Sequence, residues 1–472
     1  MEMMKTTTPI ATGTVAPARA AAHRVLRRVF EGGAYAEKAL HAEAAGLGER
    51  DRALAMRLAY GAVQRSGTTG YLVEQLAGRP PARLDPPVLA SLRLGLYELL
   101  YLQGAPDYAV VADAVELAKT GSRSGHSLVN AVLRRAAREG SEALLGALGD
   151  ATAAEAAVKH SHPEWVAELW WEALGPAEAR ALMARDNEPS ALVLRANTLR
   201  LTASELADQL PVRTSRDPLI EEALLLEESF DAHASPLWRS GAFAAQSRAA
   251  MLVAHALAPQ PGEDVLDLCA APGGKTTHLA ALMAGEGTIL AVEAGARRAR
   301  VLERNVRRMG AANVTVAVAD AREPRAGESY DRILVDPPCS GLGTLQARAD
   351  LRWRARPDAL AALRADQFRI LDCGAQALRP GGVLVYSTCT ISPSENEQQI
   401  AAFLQRHPDF QLDDLTAEMP HFAMTAPAGN GERADEARPA DADAEAVARR
   451  SLLTLPHRHD TAGFFIARLR RS

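Results

Sequence analysis

Two cysteines stand in contexts that suggest covalent chemistry: Cys339 in VDPPCSG and Cys389 in STCT, each following a short β-branched run. A single cysteine of this kind is more often a buried structural thiol. Two of them at the ends of strands facing one ligand site argue for reactivity. The chemistry that uses such a pair is methylation at carbon-5 of a cytosine. That carbon is a poor nucleophile, and a thiolate adding to carbon-6 turns the ring into an enamine able to attack a sulfonium methyl. A carboxylic acid that gives a proton to the ring nitrogen lowers the cost of addition, and Asp336 ends the strand that leads to Cys339. After transfer the proton on carbon-5 must leave and the first thiol must be expelled, which gives the second cysteine a task.

A methyl donor needs a site as well. The segment VLDLCAAPGGKTTH closes a strand with a turn containing Gly273 and Gly274, which lets a ligand approach the backbone before a helix begins. It is neither a GxxxxGK[ST] phosphate loop nor a GxGxxG dinucleotide turn. Glu293, Asp320 and Asp336 end the next three strands, where carboxylates suit two ribose hydroxyls and an adenine amine. Any one of them is as often a helix cap. Three in succession after a Gly-rich turn favour a nucleoside cofactor. An aromatic residue after DPP would have suggested methylation of an exocyclic amine, but Cys339 stands there instead.

These residues require a sheet with one shared edge. EDVLDLCAAP, GTILAVEA, NVTVAVAD, YDRILVDPP and GGVLVYSTC alternate with helical stretches, the pattern of a parallel sheet covered on both faces. Ligands of such sheets bind beyond the carboxyl ends of the strands. TAGFFIARLRR predicts a last, antiparallel strand with Phe464 and Phe465 at the core, and the charged, Ala/Gly/Pro-rich stretch 425–450 predicts a loop. ADLRWRARPDALAALRADQF reads as helix-forming, its Arg348, Arg352, Arg354 and Arg356 being either phosphate contacts at the site's edge or a solvated face.

Upstream, residues 18–155 give helix after helix, with arginines recurring at Arg24, Arg27, Arg28, Arg93, Arg134 and Arg135. From His162 a helix carrying Trp170 and Trp171, read as packing residues, leads into alternating strand character, a small α+β subdomain. The expected divisions are a disordered 1–17, a helical domain at 18–158, a bridging subdomain at 159–250 and a catalytic domain at 251–472. The 472 residues are 47% apolar and 24% charged, too many for one core. No apolar run long enough for a membrane span or a signal peptide is present, so a cytoplasmic location is expected. The net charge of −5 weighs mildly against a nucleic-acid partner without excluding one, since basic residues can gather on one face. Cys269, Cys339, Cys373 and Cys389 form no CxxC pair, and His457 and His459 lack companions, so neither a metal nor a disulfide framework is expected. A monomer is expected.

RDRALAMRLAYGAVQR, LRLGLYELLYL and LVNAVLRR resemble the helical RNA-binding domain of the antitermination factor NusB, which implies phosphate contacts at Arg50, Arg52, Arg134 and Arg135. LDLCAAPGGKTTH, LVDPPCSGLGTL, LVYSTCTISPSENE and GFFIARL resemble the RsmB/Sun family of bacterial RNA cytosine-5 methyltransferases. That resemblance implies a NusB-like all-α bundle, a bridging α+β subdomain and a Rossmann-like class I methyltransferase domain. It implies S-adenosyl-L-methionine as cofactor, held by Cys269, Ala270, Ala271, Pro272, Gly273, Gly274, Lys275, Glu293, Arg298, Asp320 and Asp336. It further implies Cys389 as nucleophile, Cys339 as the residue assisting release, and 16S ribosomal RNA as substrate, with no membrane and no metal. The chain departs from the family pattern at Glu293, usually Asp, and in STCT, commonly TCS. Transfer RNA is the alternative substrate. A non-catalytic RNA-binding factor and a DNA cytosine methyltransferase, which would attack with the cysteine of the PC motif, are the rival classes.

Overall fold

In the computed structural model, residues 15–423 and 439–472 are described, apart from residues 121, 123, 229 and 324–326. The part of the expected loop at 425–438 and the first 14 residues of the expected disordered terminus lie outside the described residues. The chain divides into two compact units, one comprising the residues up to Glu168 together with Arg348–Arg354, the other Leu169–Ala347 with Ala355–Ser472.

The first unit is all helical. Its opening helix, Pro17–Phe30, starts on a proline, whose fixed φ suits a first helical position. It buries Ala18, Ala21, Ala22, Val25 and Leu26, a stripe at three- and four-residue spacing. Glu49–Gln64 and Pro86–Tyr101 approach so closely that a Cβ on Gly61 would stand 2.0 Å from the Tyr97 ring.

The stretch after Cys339 departs from the expected continuous helix. It is not one helix but two, Leu351–Arg354 and Ala359–Ala377, because Pro357 disfavours helical geometry in the residue before it. Nor is Arg352 a phosphate contact: it is fully buried and donates to the Ser161 carbonyl at 3.0 Å. Arg354 donates to the Gly33 carbonyl and lies 4.0 Å over the Tyr35 ring, and Trp353 Nε1 donates to Val63 O at 2.8 Å. Arg352 is thus interior to the first unit and Trp353 and Arg354 are half-buried against it, while Arg348 and Arg356 remain exposed.

The second unit contains two sheets. Strands β1 (Val193–Ala196), β2 (Thr214–Arg216), β3 (Ala223–Leu226) and β4 (Phe243–Ala245) form an antiparallel sheet in the order β2-β3-β1-β4. The larger sheet contains β5 (Asp264–Leu268), β6 (Thr288–Glu293), β7 (Val314–Val318), β8 (Tyr330–Val335), β9 (Leu378–Thr388), β10 (Phe410–Leu412), β11 (Leu452–Leu453) and β12 (Phe465–Arg471). Its order is β10-β12-β9-β8-β5-β6-β7, with β11 beside β12. β5 to β9 run parallel; β12 is antiparallel to β9 and β10 to β12. Helices Arg248–Leu257, Gly274–Leu282 and Ala296–Met309 cross between or lead into these strands, and Val265, Leu266, Leu334 and Val385 are buried at the centre. A Leu→Ala change at 266 or 334 would cost about 2–5 kcal/mol. The chain order reverses between β5 and β8, so their carboxyl ends open a crevice at the sheet's switch point.

Phe464 and Phe465 are buried, as expected of the last strand. Part of the stretch expected to be a loop is instead the helix Pro439–Ala448, which begins on proline, is alanine-rich and buries Ala444 and Val447. Among the described residues no helix is long and apolar enough to cross a membrane.

Candidate active site

β5 delivers the chain into a strained turn. Cys269 has φ +66°, a left-handed conformation that residues with a Cβ rarely adopt. Gly273 has φ +102°, and a Cβ there would stand 2.7 Å from Leu302. The turn's carbonyls are held from outside: Arg298 donates to Ala271 O, Asn305 to Pro272 O and the buried Arg195 to Gly274 O, each at 2.8 Å. Ala270 and Ala271 are buried. Burial, with Asp336, Asp267 and Glu293 adding to it, pushes the Cys269 thiol up to about 12, so it stays protonated. Asp267 beneath the turn is pushed up to about 7 by burial, against a 2.6 Å hydrogen bond from Thr276 Oγ1.

The strand-end carboxylates differ in how occupied they are. Glu293 is buried; its Oε1 accepts from Gly295 N at 2.9 Å, while Oε2, among the described residues, meets the mostly exposed Arg298 at 3.3 Å. That leaves it acceptor capacity for a ribose diol. Asp320 is gripped through both oxygens by Arg322, whose hydrogen bonds pull it down to about 2.

Asp336 follows β8 and is fixed from two sides, Oδ2 by Lys275 Nζ at 2.7 Å and Oδ1 by Ser387 Oγ at 2.8 Å. Lys275 opens a helix and would be expected at the surface, but it is largely buried and lies 5.0 Å over the Phe464 ring. Burial opposes its charge, yet Asp336, Cys389 and Asp267 outweigh burial and hold it above the ordinary lysine value.

Cys339 and Cys389 meet with their sulfurs 3.3 Å apart. The Cys389 sulfur first, then burial, push the Cys339 thiol well up, and either sulfur can donate to the other. Both loops are clamped. The fully buried Glu395 accepts from Ser340 N at 2.9 Å, Ser340 Oγ at 2.5 Å and Gln367 Nε2 at 2.9 Å, and its backbone carbonyl accepts from Tyr386 OH at 2.7 Å. Gly343 N donates to Cys389 O at 3.0 Å, and Gly463 N to Gly343 O at 2.7 Å. A Cβ on Gly343 would collide with Gly463 O at 1.9 Å.

Sequence reasoning thus names the residues that face the crevice but not Glu395, Ser387 or Arg195, which hold them. The one signal for Glu395 is its place in SENE soon after the second cysteine, and nothing in one sequence marks a surface-type residue as buried. His457 and His459 are engaged locally, the former with Glu178 at 2.7 Å and the latter accepting from Leu455 N at 2.8 Å. Among the described residues Glu222, His255 and His278 form the one group close enough to hold a metal. Glu222 sits 2.8 Å from His255 Nε2 and 2.7 Å from His278 Nε2, and burial, with Arg195 nearby, pushes His278 down to about 3, so the group is a carboxylate beside a neutral, buried imidazole of the Gly274–Leu282 helix.

Family models match in three parts: the NusB family at residues 16–138, a ferredoxin-like domain of RsmF/B-like methyltransferases at 162–233, and the 16S rRNA methyltransferase RsmB/F at 254–470. The chain is similar to the "Probable ribosomal RNA small subunit methyltransferase B" of Synechocystis, 36% identical over 89% of this chain and 92% of that protein. It is similar also to ribosomal RNA small subunit methyltransferase B of Vibrio cholerae, 35% identical over 85% and 92%. The crystal structure of PH0851 matches with a TM-score of 0.76 at 26% identity, covering 97% of this chain and 99% of the other. The strained turn, the strand-end carboxylates and these likenesses make the chain an S-adenosylmethionine-dependent methyltransferase, and it belongs to the RsmB/F family.

Proposed function

We propose that this chain is a cytoplasmic enzyme that methylates carbon-5 of one cytidine in 16S ribosomal RNA through a covalent bond from Cys389. The observation that carries the reading is the pair of sulfurs 3.3 Å apart, with Lys275 close enough to interact electrostatically with Cys389 and Asp336 with Cys339. The target base is unstacked into the crevice. Cys389 Sγ forms a bond to carbon-6, the carbon-5–carbon-6 electron pair moves to carbon-5, and the Lys275–Asp336 pair supplies a proton to the ring nitrogen. When bound, S-adenosylmethionine supplies the electrophilic methyl group. Loss of the carbon-5 proton to water restores the double bond and breaks the carbon–sulfur bond, and the ring nitrogen returns its proton to the Lys275–Asp336 pair. Cys339, kept as a thiol, donates to the departing Cys389 sulfur.

For the cofactor we assign the turn Cys269, Ala270, Ala271, Pro272, Gly273, Gly274 and Lys275, with Glu293 toward the ribose hydroxyls, Arg298 beside it, Asp320 toward the adenine amine, and Asp336 between donor and base. The helical unit supplies RNA choice. The test is incubation with labelled S-adenosylmethionine and unmodified 16S transcript, followed by separation of nucleosides. Label is expected in 5-methylcytidine; label in another nucleoside, or an adduct that survives Cys389→Ala, would overturn the assignment.

A further inference from the structure

The first unit carries a groove that catalysis does not use. It lies between helices Asp107–Lys119 and His126–Glu139, has a volume of about 750 Å3, and is lined by Tyr108, Val111, Val115, Asn130, Arg134 and Arg138 among others. Tyr108, at 78%, is the most exposed of the exposed large hydrophobic side chains among the described residues. Among the described residues it makes no side-chain hydrogen bond, ring contact or cation contact. An aromatic ring held so far into solvent at the rim of an apolar trough has its face free for stacking.

The arginines divide in a telling way. Arg135 is occupied, paired with Glu139 at 2.6 Å and directed at Leu76 O. Arg134 and Arg138 are exposed and, among the described residues, pair with no carboxylate. They stand four residues apart, so they lie on one helix face about 6 Å from each other. Two acids also line the groove: Glu116 is taken by Lys119 at 2.6 Å, and Asp107 stands in the first turn of its helix, where the helix N-terminus offsets its charge. Free guanidinium groups are thus left beside a free ring, over a floor made of Val111, Val115 and alanine side chains.

We infer that this groove binds a single-stranded segment of the RNA substrate, with an unpaired base stacked on Tyr108 and adjacent phosphates held by Arg134 and Arg138. The inference rests on the RNA-methylating reading above and adds where the first unit grips its RNA. Stacking on an aromatic tolerates any base, and guanidinium groups read phosphate without sequence, so the groove contributes affinity and leaves selection of the cytidine to the second unit.

The test uses the full chain and the 16S transcript, with binding read by fluorescence anisotropy in the absence of methyl donor. Tyr108→Ala is expected to weaken binding about tenfold or more, and Tyr108→Phe and Tyr108→Trp to retain it. Arg134→Gln and Arg138→Gln are each expected to lower the slope of log affinity against log salt by about one. Because Tyr108 is so exposed, Tyr108→Ala keeps its thermal transition, so weaker binding is not unfolding. Wild-type affinity in Tyr108→Ala overturns the inference. So does an unchanged RNA affinity accompanied by altered sedimentation of the free protein, which would mark the groove as a protein-binding face. A chain that binds RNA through Tyr108 yet makes no 5-methylcytidine would retire the catalytic reading and leave this one standing.

Discussion

Replacing Glu395 by glutamine and by alanine should have very different consequences, and the difference follows from which atoms it holds. Three side-chain hydrogen bonds converge on a carboxylate with no solvent exposure: Ser340 N and Gln367 Nε2 on one oxygen, Ser340 Oγ on the other. In Glu395→Gln the amide oxygen keeps the first two. The amide nitrogen then faces Ser340 Oγ, which accepts from it by turning its own hydrogen to Thr390 Oγ1, already 2.6 Å away. What is lost is the charge assistance, partly offset by no longer burying a charge, so the cost is about 1 kcal/mol. In Glu395→Ala the Ser340 N–H and one N–H of the Gln367 amide, whose other donates to Pro338 O at 3.0 Å, are left buried without acceptors, at about 1–3 kcal/mol each, for a total of about 4 kcal/mol with the cavity. At about 2–4 °C per kcal/mol for a domain of this size, the second unit's thermal transition should fall by about 3 °C in the first variant and about 12 °C in the second. Single-turnover methyl transfer should follow the same order, since the residue before Ser340 is Cys339. The assays are calorimetry and rapid-quench transfer at saturating RNA. Equal damage from both substitutions would refute the reasoning, because it would mean that charge, and not the pattern of acceptors, holds the loop.

Cys389→Ala should give no RNA-linked species on a denaturing gel, whereas Cys339→Ala should accumulate one, with attack and transfer intact and release stalled; free turnover of the second variant would contradict its role. Asp267 has its folded value raised to about 7 by burial, so the native state binds the extra proton between the unfolded value near 4 and 7. Its contribution to stability is fully present below about pH 4, falls as pH rises through that window by up to roughly 4 kcal/mol, and is flat above it. Asp267→Asn should remove that slope from denaturant midpoints measured across the window, and an unchanged slope would assign it to other groups. Lys275→Met leaves the half-buried Asp336 with Ser387 but without its cation, with an expected loss of about 1 kcal/mol in urea unfolding and a larger proportional loss in kcat than in RNA affinity; wild-type kcat would remove Lys275 from the proton supply.

The parallel strands and the crevice were legible because β-branched runs, a Gly-rich turn and strand-end acids are local patterns, and both cysteines fall where those patterns end. β10, a three-residue edge strand, has no such pattern, and its pairing with β12 is a long-range event. The supports of the site were not legible for a similar reason. Glu395, Arg195 and Lys275 are residue types usually found in water, and only tertiary burial turns them into braces. The arginines after the PC motif misled for the converse reason: a charged helix-like run reads as a solvated face, whereas Arg352 is drawn into a packed interior and Trp353 is half-buried against it.

That short excursion of seven residues, Arg348–Arg354, has a bearing on how the protein can be taken apart. A gene cut once after the helical bundle would not separate two self-sufficient pieces. The bundle would lose the guanidinium that satisfies Ser161 O and the indole that satisfies Val63 O, and the remainder would carry an orphaned tryptophan and arginine into solvent. A clean dissection therefore needs two edits, removal of the bundle and replacement of the excursion by a short polar linker from Ala347 to Ala355. Inheritance faces the same arithmetic, since exchanging either half between relatives by a single crossover brings a mismatched seven-residue graft with it.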